Sequence, residues 1–245
     1  MLRYLEREFK SSGEEGPAQL ISGLHAILGK DIPFPVSEQI LSLEQATREY
    51  KNKHDSPELL TQFMRSFWQE AGQKIGRSIV VDKFPLTAKE IKEKQEKGQM
   101  AIFVPAEVNR VDLGKMFPKM ESWAVQEGNS AVDVINNSGW FWIEASVDAP
   151  NRNTTQRQLE EKFKKEGKQG QSLRTYIVGG QVSKLLTNRY FDEGATWSRL
   201  LGSRDEGRVL LAGFFSNGGL DVFSNWYPGS HSESIGGRSE EVIKP

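Results

Sequence analysis

The sequence predicts an α+β protein: a helical N-terminal region over residues 1–75, followed by a domain over residues 76–245 that closes in short antiparallel strands. Three observations predict this class. Apolar residues recur at helical spacing through the first third of the chain. The aromatic run GWFWIEA at 139–145 reads as a strand. Asn217-Gly218 lies between the apolar runs 208–215 and 220–226, and an Asn-Gly pair so placed is the strongest short hairpin signal.

In chain order, Leu20, Ile21, Leu24, Ile27 and Leu28 make the face of a first helix, which Gly29 stops. The segment DIPFP at 31–35 breaks structure, because its prolines remove donors and push their neighbours toward extended forms. Ser37 is expected to cap a second helix with Ile40, Leu41 and Leu43 on its apolar side. Ser56 and Pro57 open a third, as N-cap and first helical residue. Its stripe of Leu59, Leu60, Phe63, Met64, Phe67 and Trp68 reads as core rather than as a cofactor box.

After Gly76 the pattern changes. SIVV at 78–81 is expected to be a short strand. Residues 87–97 form a charged helix ending at Gly98, its alternating signs marking a solvated face. MAIFV at 100–104 is a strand stopped by Pro105, and 123–135 is ambiguous. Residues 153–168 make a polar helix. Residues 172–186 make a better one, buried through Leu173, Tyr176, Ile177, Val182, Leu185 and Leu186, although Gly179 and Gly180 weaken it. Strands follow at 197–201, in the two arms of the hairpin, and after Ile235.

Composition removes several classes of function. Thirty-two basic and 33 acidic residues leave a net charge of −1, so no global field draws nucleic acid or an anionic membrane. The absence of cysteine removes disulfides, thiolate metal sites and cysteine nucleophiles, and fits a reducing cytoplasm. His25, His54 and His231 match no metal-ligand spacing. No secretory signal opens the chain and no apolar run of about 18 residues occurs, so membrane insertion is not expected. Phosphate-binding loops, nucleophile elbows and zinc-protease motifs are missing. The expectation is a soluble, cytoplasmic, non-catalytic protein without a cofactor.

The positive feature is the hairpin and the loop after it. Strand alternation puts Leu220 and Val222 on one face and Asp221, Phe223 and Asn225 on the other. At least one of Phe214 and Phe215 shares a face with Phe223. Trp226, Tyr227, Ser230, His231 and Ser234 follow on a Gly/Pro loop. Aromatic and small polar residues together dominate recognition surfaces, the first giving rigid contact area and the second adaptable hydrogen bonds. The competing reading is that these aromatics pack under the loop as core.

The segments SLRTYIVGGQVSKLLTNRYFDEGATWSRLLGS and GRVLLAGFFSNGGLDVFSNWYPGSHSESIGGRSEE resemble the variable (target) proteins of diversity-generating retroelements, as found in ultra-small uncultivated bacteria. The resemblance covers roughly residues 100–245. It rests on a helix (173–186), a Trp-bearing strand (Trp197), a hairpin and loop (214–234) and a closing Gly236-Gly237-Arg238. It implies a C-type-lectin-like, formylglycine-generating-enzyme-like domain of short antiparallel strands with two helices. It also implies a ligand-binding, receptor-like role on the non-enzymatic branch. The binding surface is then Phe215, Asn217, Phe223, Asn225, Tyr227, His231 and Ser234, and the partner a protein or other macromolecule. Mutagenesis at template adenines reaches Phe, Ser, Tyr, Asn and His from an Asn codon, but not Trp or Glu. By that logic Trp226 and Glu233 are fixed scaffold or lie outside the variable positions.

Two other classes compete. One is an enzyme of unrecognised type with Asp192, Glu193, Arg199 and His231 converging near the end of the sheet. The other is a structural or DNA-associated protein of a mobile element. Arg48, Lys51, Lys53 and Arg65 give it local charge, but Glu44, Glu49, Asp55 and Glu58 offset most of it. A helical bundle that packs on, or oligomerises, the C-terminal domain is the simpler use of residues 1–75.

Overall fold

The computed structural model describes residues 40–224 and 227–244, and these belong to one compact unit. The first expected helix, the DIPFP break and Ser37 lie outside the described residues. The fold is α+β, with six α-helices and two sheets among the described residues.

Helix α1 (Leu43–Asn52) starts five residues later than a Ser37 cap implies. Ser42 is the N-cap, and its hydroxyl accepts from the Gln45 amide; Ile40 lies outside the helix, half exposed. Helix α2 (Pro57–Gln73) begins as expected, with Ser56 accepting from the Leu59 amide and Pro57 in the first turn. Its apolar stripe is core: Leu60, Phe63, Met64 and Trp68 are fully buried, each contributing about 1.5–3 kcal/mol by burial. Tyr50 of α1 stacks on Phe63 at 5.3 Å. Residues 40–75, grouped by sequence with the N-terminal helices, therefore share a core with the strands that follow.

The expected strand at 78–81 is extended chain without a ladder partner. Its period-2 pattern is real, with Val80 exposed and Val81 buried. Side chains bind the end of this segment: the Val81 carbonyl accepts from Arg65 Nε, and the carbonyl of the next residue, Asp82, from Trp140 Nε1. Helix α3 (Ala88–Glu96) carries the capping box of Thr87 and Glu90.

The first sheet has the order β1-β3-β9-β4, all antiparallel: β1 (Gln99–Val104), β3 (Gly139–Glu144), β9 (Ser239–Val242) and β4 (Gln169–Gly170). Helix α4 (Arg110–Met116) follows β1. Helix α2 is tied to this sheet where Trp68 Nε1 donates to the Phe103 carbonyl at 2.9 Å. The second sheet has the order β2-β5-β6-β7: β2 (Val132–Asp133), β5 (Trp197–Asp205), β6 (Arg208–Phe214) and β7 (Leu220–Phe223). Its pairs are antiparallel, and β8 (Ile235–Gly237) adds to β5 in parallel. Residues 123–135, ambiguous in sequence, resolve into a 3₁₀ turn (Trp123–Val125) and the short β2.

Helix α5 (Gln156–Lys165) has two apolar anchors, Leu159 and Phe163. Helix α6 (Leu173–Thr187), capped by Ser172, meets both sheets. Gly179 and Gly180, liabilities by helix propensity, have their reason here. A Cβ on Gly179 would lie 2.6 Å from Ile143 of β3, and one on Gly180 would lie 2.4 Å from the Phe214 ring at the end of β6. Bare glycine backbone lets the helix approach both sheets at once. Among the described residues, no helix is long and apolar enough to cross a membrane.

Candidate functional site

The hairpin forms, and Asn217-Gly218 lies within a three-residue turn rather than making a two-residue one. Ladder pairing ends at Phe214↔Leu220, and Phe215 and Gly219 remain bonded beyond it. The turn is Ser216, Asn217 and Gly218: the Gly218 amide donates to the Phe215 carbonyl at 2.9 Å, and only Gly218 takes positive φ, at 91°. This is the three-residue hairpin form, which needs one left-handed residue rather than two. The Asn217 side chain stabilises it by accepting from the Gly219 amide at 2.9 Å.

The turn length decides which phenylalanine is core. A two-residue turn would pair Phe215 with Leu220 and turn Phe215 inward, since a one-residue slip exchanges the faces of a strand. In the observed register Phe214 shares the buried face of Leu220 and Val222, where its ring stacks between Tyr176 (5.5 Å) and Tyr190 (5.1 Å). Phe215 falls on the other face with Phe223 and is 50% exposed.

The outer face of the second sheet collects Trp197 and Arg199 from β5, Leu211 and Gly213 from β6, and Asp221 and Phe223 from β7. Trp197 lies over Gly213, within about 3 Å of where a Cβ would stand, and packs beside Phe223 at 4.8 Å. Phe223 is therefore half-buried rather than free. The loop after β7 folds back onto this sheet. The Trp197 amide donates to the Ser234 carbonyl at 2.8 Å, and Arg199 donates to the Ser230 carbonyl. Tyr227 is 79% exposed. His231 is exposed, with Nδ1 sharing a hydrogen bond with Asn153 Oδ1 at 2.8 Å. Ser234 is half-buried and its hydroxyl pairs with that of Ser232 at 3.0 Å, so it serves the loop. Asn225 and Trp226 lie outside the described residues. Of the seven expected surface residues, Phe215, Asn217, Tyr227 and His231 present exposed side chains.

Two residues of the enzymatic alternative, Asp192 and Arg199, lie on opposite sides of the sheet. Asp192 is 1% exposed and lies on the inner side of the sheet, accepting from Tyr176 Oη (2.8 Å), Thr196 Oγ1 (2.7 Å) and Ser198 Oγ (2.7 Å). Ser198 and Arg199 are neighbours in β5 and point to opposite faces, so the sheet separates Asp192 from Arg199. Glu193 accepts from the Tyr190 amide.

The partner of Asp192 is Arg238, which sequence inspection noted only as the end of a Gly-Gly-Arg motif. Arg238 is fully buried, 3.3 Å from Asp192, and its guanidinium lies 3.9 Å over the Phe191 ring. It also donates to the Ser146 and Val147 carbonyls and to Ser198 Oγ. Burial pushes the Tyr176 phenol well above its ordinary range, and the Asp192 charge adds to the shift. The two glycines before Arg238 allow close contact: a Cβ on Gly236 would stand 2.1 Å from the Pro150 carbonyl, and one on Gly237 would stand 2.6 Å from Leu159. The motif is a packing device at this position.

A shallow cleft of about 370 Å³ lies elsewhere, lined by Glu160, Phe163, Lys164, Lys168, Leu201 and Arg204, and includes none of the expected surface residues. Among the described residues, no group of three or more His, Asp or Glu side chains could hold a metal ion. No protein-family model, curated protein or solved structure matches the chain.

Proposed function

We propose that this protein is a non-catalytic, receptor-like binding protein that presents a variable surface on its C-terminal hairpin and loop. One observation carries the reading. Among the described residues, the large apolar side chains left exposed are Ile40, Val80, Val132, Val134, Phe215 and Tyr227. The two aromatics in that set both fall at expected surface positions. Exposed aromatic rings flanked by Asn217 and His231 suit recognition of a protein or other macromolecule, with ring burial supplying affinity and the polar rim specificity.

The assignment to the C-type-lectin-like variable proteins of diversity-generating retroelements is part of the same proposal. The α+β composition, the hairpin, the loop after it and the buried Gly-Gly-Arg segment support it. Sequencing of the gene and its surroundings tests it. The expected result is a reverse transcriptase gene and a nearby template repeat that differs from this gene only at adenines. Those differences should fall in the codons of Phe215, Asn217, Phe223, Asn225, Tyr227 and His231. A locus without such a repeat, or one whose differences reach the codons of Leu220 and Val222, overturns it.

A further inference from the structure

The loop over residues 227–234 is held by its main chain. The carbonyls of Pro228, Ser232 and Ser234 accept from the amides of Gln156 (2.9 Å), Asn153 (3.0 Å) and Trp197 (2.8 Å). The carbonyl that completes this alternating series, that of Ser230, has no amide donor among the described residues. It accepts instead from Arg199 Nη2, while Nη1 of the same guanidinium donates to the Thr154 carbonyl at 2.7 Å.

Arg199 is 3% exposed, and burial alone pushes its guanidinium below its ordinary value, with no carboxylate contributing. A buried cation answered by carbonyls is costly, and its use here is to add side-chain bonds among segments that the three amide bonds above bring together. The planar fork of arginine can serve two acceptors on different segments, which the single ammonium of lysine does poorly.

We propose that Arg199 is the positioning residue of this loop: it ties β5, the turn before α5 and residues 227–234 into one unit, and so sets the path on which Tyr227 and His231 are displayed. What the loop presents rests on the binding reading above. The clamp itself is tested without any ligand, so the two can fail separately.

The test is amide hydrogen exchange on the full chain, comparing the parent with Arg199→Lys, Arg199→Gln and Tyr227→Ala. With Arg199→Lys, exchange at Asn153, Gln156, Trp197 and Ser230 should accelerate tenfold or more, while amides of α6 and β3 keep their rates. Arg199→Gln, which removes the buried charge and retains one donor, should accelerate the same amides less. The Tyr227→Ala variant should leave loop rates within about twofold, because that exposed ring holds no main-chain bond of the loop. Unchanged loop rates in both Arg199 variants overturn the proposal. So does uniform acceleration across the molecule, which marks a merely structural arginine. If Arg199→Lys does not fold, Arg199→Gln decides between the same outcomes.

Discussion

Asp192 and Arg238 form a fully buried ion pair with every contact satisfied on both sides. Removing one partner strands a charge in the core, which costs about 3–5 kcal/mol. Arg238→Met should therefore lower unfolding free energy by that amount in a urea titration, and Asp192→Asn should do so to a lesser degree. A loss under about 1 kcal/mol would show that the pair is not the keystone its contacts describe. The surface aromatics divide differently. Phe215→Ala and Tyr227→Ala remove exposed rings and should each stay within about 0.5 kcal/mol of the parent. Phe223→Ala exposes Trp197 and should cost about 1–3 kcal/mol in the same titration. Binding assays built on Phe215 and Tyr227 thus read recognition, whereas Phe223 mixes recognition with folding.

Helix α6 shows how packing reverses a local preference. Gly180→Ala improves helix propensity by about 1 kcal/mol. The added methyl meets the Phe214 ring, which cannot yield because Tyr176 and Tyr190 hold it on both sides. Overpacking of this kind costs about 1–3 kcal/mol, so the variant should melt below the parent in calorimetry. A higher melting temperature would mean that the helix can move off the sheet. Much of this architecture was legible in the chain. The Ser56 cap, the helices expected at 87–97 and 172–186, the strand at 139–144 and the hairpin each follow from residues within a few positions of one another. The strand at 78–81 failed for want of a partner, which no local pattern supplies.

Two carboxyls join the two sheets through the start of α6. Glu240, on β9 of the first sheet, accepts from the Ser172 amide (3.1 Å) and from Thr175 Oγ1. Asp133, on β2 of the second, accepts from the Leu173 amide (3.1 Å) and from Ser203 Oγ. Arg174 lies near both. Burial pushes Glu240 up to about 7 from 4.5, with its hydrogen bonds and Arg174 opposing and Asp133 adding. Burial likewise raises Asp133. A carboxyl that holds its proton more tightly when folded favours the native state below its unfolded value and loses that contribution as pH rises through its folded one. Stability should therefore fall between about pH 4.5 and 7, by on the order of 2 kcal/mol from Glu240. Glu240→Gln should flatten that part of the denaturation-against-pH curve. A variant that retains the full slope would assign the effect to other groups.

Helix caps, strand alternation and the Asn-Gly hairpin are written into neighbouring residues, because each depends on interactions within one turn or one strand. The resemblance named Phe215, Asn217, Phe223, Asn225, Tyr227, His231 and Ser234 as the surface, of which Phe215, Asn217, Tyr227 and His231 are exposed, and strand alternation placed Leu220 and Val222 opposite Phe223. The choice between Phe214 and Phe215 was beyond it. A single residue of turn length exchanges the two, and the space that selects Phe214 is shaped by Tyr176 and Tyr190 from other parts of the chain. The fate of Asp192 and Arg199 was equally hidden. Asp192 finds Arg238 46 residues away and Arg199 finds its carbonyls 31 and 45 residues away, and only the assembled sheet puts Ser198, which donates to Asp192, on the core face and Arg199 beneath the loop.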